Sequence, residues 1–151
     1  MNETNASLKP SATTGDAAIS GLFGGLLGGL AMALVIFLFS LAAGQGAAYL
    51  GYFSTEIPVP PLQGLLMHLA VSCIYGILFG LLLHWTRIDR RKLPGWFSGL
   101  VYALGLWVLA VTVMLPLSHS IMLTLPWYVF FGGHIAYGLV LGVSRRQSGG
   151  S

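Results

Sequence analysis

The chain reads as long apolar runs separated by short polar or basic breaks. A polar stretch at 1–20, made of Asn, Ser, Thr and Ala with Lys9, Pro10 and Asp16, is followed by apolar segments at about 21–44, 61–85, 95–115 and 127–143. None of the four contains Asp, Glu, Lys or Arg. A bilayer core takes about 20 residues of helix, within a range of about 17–25, so each run is long enough to cross it. The runs are continuous rather than alternating, which argues against a β-barrel and predicts an all-α membrane protein with four transmembrane helices. The 1–20 stretch lacks the basic start of a signal peptide, and the run after it is too long for one, so a flexible tail is expected there. The four helices make one domain over 21–146, and 147–151 is expected to be disordered.

Composition narrows the class further. The 151 residues are 56% hydrophobic and 7% charged, against the roughly 25% charged residues of a soluble domain. A cytosolic enzyme domain, a disordered chain and a disulfide scaffold are all excluded; the single cysteine, Cys73, has no partner within the chain. The net charge of +3 comes from seven cations: Lys9, then Arg87, Arg90, Arg91 and Lys92, then Arg145 and Arg146. With four spans these groups share one side. The positive-inside rule places that side, and both termini, in the cytoplasm. The charge is thereby explained by topology, and nucleic acid is not an expected partner. Arg87, Arg90, Arg91 and Lys92 form a basic loop suited to anionic lipid headgroups, although setting orientation is the simpler role.

Glycine supplies 21 residues, and its spacing is regular. Gly21, Gly25 and Gly29 are spaced by four, as are Gly76 with Gly80, Gly95 with Gly99, and Gly138 with Gly142. Small residues at every fourth position line one helix face and let backbones approach closely, which matters in lipid because little hydrophobic force holds helices together there. The motifs also pair. Gly21-Leu22-Phe23-Gly24-Gly25-Leu26 matches Gly95-Trp96-Phe97-Ser98-Gly99-Leu100, and Tyr75-Gly76-Ile77-Leu78-Phe79-Gly80 matches Tyr137-Gly138-Leu139-Val140-Leu141-Gly142. A duplicated helical hairpin with a parallel pseudo-twofold repeat is therefore expected.

Candidate chemistry is sparse. His68 and His134 lie seven and eight residues past Pro61 and Pro126, on different helices but at similar depth, about 10–12 Å into the membrane at 1.5 Å per residue. Such a pair can ligate a b-type haem, bind a metal, or hydrogen-bond between helices. The face of the second span carries His68, Ser72, Tyr75 and Gly76; that of the fourth carries His134, Tyr137 and Gly138. Aligned on Tyr-Gly, His134 matches Ser72 rather than His68, which disfavours a symmetric cofactor. No catalytic set is recognisable: His119 has no nearby carboxylate, and no span carries the acid of a proton or sodium pump.

The glycine-rich first span, His68 before Tyr75-Gly76, and Gly133-His134-Ile135-Ala136-Tyr137-Gly138 resemble the YagU-like proteins, small four-span bacterial inner-membrane proteins of unknown function. The resemblance covers about 21–146. It implies a bacterial inner-membrane location and no established chemistry. The expected function is that of a non-enzymatic accessory or structural subunit of a larger respiratory or photosynthetic membrane complex, without a cofactor or metal. Its partners would be the bilayer and other membrane subunits or further copies of itself. Two alternatives stay open: a small b-type haem protein using His68 and His134, and a homo-oligomeric transporter or channel whose polar cavity is lined by Ser72, Tyr75, His134 and Tyr137.

Overall fold

The computed structural model describes residues 13–54, 56–86 and 93–144. The chain is an all-α membrane protein with four helices long and apolar enough to cross a bilayer: α1 (Thr14–Ala42), α2 (Pro61–Trp85), α3 (Gly95–Leu117) and α4 (Trp127–Ser144). Short 3-10 segments at Ala48–Tyr52 and Ile121–Thr124 lie in the two connections at one end, here the loop end; the opposite, terminal end holds the start of α1 and the close of α4.

Two helix limits depart from the sequence expectation for local reasons. α1 starts at Thr14 rather than near Gly21, so 14–20 is helix and not tail. The cause is a capping box: the Thr13 hydroxyl accepts from the Asp16 N–H at 3.2 Å while the Asp16 carboxylate accepts from the Thr13 N–H at 2.9 Å. α3 runs through Pro116 to Leu117 instead of stopping near 115. Pro116 has no N–H, and its ring crowds the preceding turn. The helix absorbs this with a π turn over Ala110–Met114, in which the Leu115 N–H reaches the Ala110 carbonyl.

The helices are ordered α2–α1–α4–α3. α1 packs along both α2 and α4, and α3 packs along α4, whereas α2 and α3 have no comparable backbone contact. Glycines mark each crossing. Added methyls at Gly76 and Gly80 would strike the backbones of Gly21, Gly25 and Ala17 on α1; those at Gly138 and Gly142 would strike Gly99, Ala103 and Gly95 on α3. Gly29 lies against Ser72, and Gly24 and Gly28 lie against Leu141 and Tyr137 of α4. Gly21 and Gly25 face Gly76, but Gly99 and Ala103 face Gly138. Against the Gly21–Gly95 sequence match, the second crossing is displaced by one helical turn.

The basic loop 87–92, the tail 1–12 and residues 145–151 lie outside the described residues, and all seven cations lie within these stretches.

Candidate functional site

Because α2 and α3 are each held to a different neighbour, a space remains between them toward the loop end. It is a cavity of about 360 Å³. α2 contributes Met67, His68, Ser72 and Tyr75, α4 contributes His134 and Tyr137, and α3 contributes Leu106, Ala110 and Met114 from the π turn and the turn before it. Phe53, Ser54, Ser118, Ser120 and Met122 form the roof. The two loops are tied together there, since the Ser120 hydroxyl donates to the Ser54 carbonyl at 2.9 Å. At the floor, the Tyr102 hydroxyl donates to the Tyr75 carbonyl at 2.8 Å and its ring meets Phe79 at 5.0 Å, so side chains bridge what the backbones leave apart. The wall is predominantly apolar, and among the described residues no charged one lines it.

Both intramembrane histidines face this cavity, and the structure uses them differently. His68 Nε2 lies 3.1 Å from the Gly29 carbonyl of α1 and 3.4 Å from the Ser72 hydroxyl, with its ring stacked on Phe53 at 4.0 Å. A carbonyl only accepts, so Nε2 is the donor and the ring bridges α2 to α1. His134 is 7% exposed. Its Nδ1 donates to the Phe130 carbonyl of its own helix at 2.9 Å, and its ring packs edge-on against Phe130 at 4.4 Å. In the neutral imidazole that leaves Nε2 as an acceptor. This atom has no hydrogen bond among the described residues and is not fully buried, and the side chain that carries it lines the cavity. With Nε2 donating to Gly29, His68 has only Nδ1 left to offer a haem iron. Among the described residues no third His, Cys, Asp or Glu joins the pair.

The remaining polar groups are mostly engaged within the protein. The Tyr137 hydroxyl donates to the Ser72 carbonyl at 3.0 Å. The Tyr75 hydroxyl has only the Met114 sulfur, at 3.1 Å, a weak acceptor. Ser72, Tyr75, His134 and Tyr137 are thus brought to one cavity, but in a wall that is apolar rather than polar.

The other candidates are scattered. The packing glycines Gly21, Gly76, Gly80, Gly95, Gly99, Gly138 and Gly142 sit in the crossings on the terminal side, while Gly25 and Gly29 reach Ser72 at the cavity's edge, Gly25 at its carbonyl and Gly29 at its side chain. Arg87, Arg90, Arg91 and Lys92 lie outside the described residues. His84 closes α2 near the Thr14 hydroxyl at 3.4 Å. His119 sits in the loop after α3 with a φ of 48°.

Sequence reasoning missed the α3 wall, Phe53 and the methionines. Met32, Met67, Met114 and Met122, every methionine after the first residue, line this one cavity. That distribution was the available signal, since flexible thioethers fill irregular gaps and adaptable binding surfaces. The chain matches no family model, no curated protein and no solved structure.

Proposed function

We propose that the protein is a non-enzymatic membrane subunit that joins a larger complex through α3. The observation that carries this reading is how little of α3 its own bundle covers. In its apolar window 6% of residues are buried, against 22–44% in the other three helices. Among the described residues α3 packs closely along one other helix, α4. Its free face carries Val101, Gly105, Val108 and Thr112, all exposed, and a methyl added at Gly105 would meet nothing within 4 Å. A neighbouring helix can approach closely over such a small residue. A respiratory or photosynthetic complex of a bacterial inner membrane is the proposed setting, with both termini cytoplasmic as the positive charges direct. The duplicated hairpin and the YagU-like kinship belong to the same reading and rest on the paired motifs.

A photo-crosslinking residue placed at Val101 tests it against the same residue at Leu34, which is exposed on α1. In native membranes the α3 probe is expected to capture one membrane protein that also co-purifies stoichiometrically, and the α1 probe is not. Equal labelling from both positions, or a protein that emerges alone after gentle extraction, would overturn the reading.

A further inference from the structure

We infer that the cavity between α2 and α3 is a binding site for a neutral, largely apolar molecule carrying a hydroxyl group, taken from the bilayer. This goes beyond the subunit reading and does not rest on it. Size is the first constraint. An apolar cavity of about 150 Å³ holds a benzene-sized molecule, and ligand sites begin near about 300 Å³. At about 360 Å³ this one has room for a ring and part of a chain, and far more room than a single metal ion fills.

The wall sets the rest of the chemistry. With no charged residue among the described residues of the lining, an ionised ligand would be left unpaired in an apolar space, which favours a neutral ligand. Four methionines with Phe53 and Leu106 favour an apolar body of adaptable shape. His134 is buried and anchored to Phe130 through its Nδ1 hydrogen bond and its ring contact, so Nε2 keeps a lone pair that no described residue uses, on a side chain that lines the cavity. That lone pair accepts; the ligand must donate, which selects an O–H over an ether or an ester. The Tyr75 hydroxyl, resting on a thioether, is the group free to turn and donate to the same kind of oxygen. A hydroxyl both donates and accepts, so one functional group can serve both residues.

The route of entry follows from exposure. Met67, Val71 and Met114 line the cavity yet are 42%, 47% and 43% exposed, so they stand at its mouth, on the side where α2 and α3 part. That mouth lies between two apolar helices and is reached from lipid.

The test compares para-nonylphenol with para-nonylanisole, which share a body and differ in the O–H donor, on the full chain in lipid nanodiscs with empty nanodiscs subtracted. The phenol is expected to bind saturably, one per chain, about tenfold more tightly than the anisole, as one well-placed hydrogen bond allows. His134→Phe is expected to abolish the preference, bringing the phenol to the anisole's affinity. Met114→Trp, which fills the mouth, is expected to remove saturable binding of both. If His134→Phe does not fold, the wild-type ratio and Met114→Trp decide. No saturable component above empty nanodiscs, equal affinities on the wild type, or a phenol preference that survives Met114→Trp would each overturn the inference.

Discussion

Gly76→Ala puts the helix crossings to the test with a single methyl. The added carbon would stand 2.5 Å from Gly25 Cα and 2.7 Å from Gly25 N, and closer still to the Gly21 carbonyl oxygen. Carbon atoms rest at about 3.5–4.0 Å, so the shortfall is about 1 Å. Every atom struck is α1 backbone, which has no rotamer to change. α1 and α2 must therefore separate by about that distance along the crossing, loosening the neighbouring contacts of Gly21, Gly25 and Gly80. Overpacking of this kind costs about 1–3 kcal/mol, and a rigid obstacle places Gly76 at the top of that range. The gain in helix propensity from Gly to Ala returns about 1 kcal/mol, leaving a net loss of about 2 kcal/mol.

Gly105→Ala is the matched control. It makes the same chemical change in the same kind of helix, with nothing within 4 Å of the new carbon, and is expected to be neutral or stabilising by up to about 1 kcal/mol. The two variants should differ by about 2–3 kcal/mol in reversible unfolding from mixed micelles, followed by tryptophan fluorescence. Gly76→Ala as stable as Gly105→Ala would refute the close crossing of α1 and α2.

Two further outcomes follow from the hydrogen bonds. Tyr102→Phe keeps the ring against Phe79 and removes the 2.8 Å bond to the Tyr75 carbonyl, so a loss of about 1 kcal/mol is expected in the same titration. Trp107 Nε1 is buried without a partner among the described residues, its ring lying edge-on to Phe131 at 5.0 Å. Relief of an unpaired donor, worth about 1–3 kcal/mol, should offset the smaller ring in Trp107→Phe and leave the unfolding midpoint unchanged or raised; a marked fall would mean that the N–H is paired.

The four spans were legible because nothing interrupts them: each is a charge-free run with no periodic polar face, the mark of helices solvated by lipid and by one another. Their ends were less so. α1 opens on Thr14, Gly15 and Asp16, outside the continuous apolar run, yet Thr13 and Asp16 carry the cap in plain sight. Pro116 reads as a stop, and only the π turn before it lets α3 continue. The histidines were legible as a pair by their depth. What surrounds them was not, because the glycine faces occur on all four helices and leave open which helix lies beside which. The order α2–α1–α4–α3 decides that His68 and His134 share a cavity with Met114 and Leu106.

The cavity and the crossings are two results of one distribution of small residues. Gly21 and Gly25 meet Gly76 and Gly80, and Gly95 and Gly99 meet Gly138 and Gly142, all on the terminal side. There the backbones touch, and helices held so closely have little room to reorganise. Toward the loop end no glycine draws α2 or α3 inward across the gap. The Ala48–Tyr52 segment wedges against the start of α2, where Gly64 admits the Leu50 carbonyl, and the π turn carries α3 around Pro116. The outer halves of α2 and α3 are thus not drawn together, and the space between them is spanned by side chains: Tyr102 to Tyr75, and Tyr75 to Met114. Side-chain bridges of this kind open at a cost of about 1 kcal/mol each, whereas the glycine crossings do not open without lifting a backbone. Movement that admits a ligand is therefore expected at Tyr75, Tyr102 and Met114, with α1 and α4 standing still beneath them.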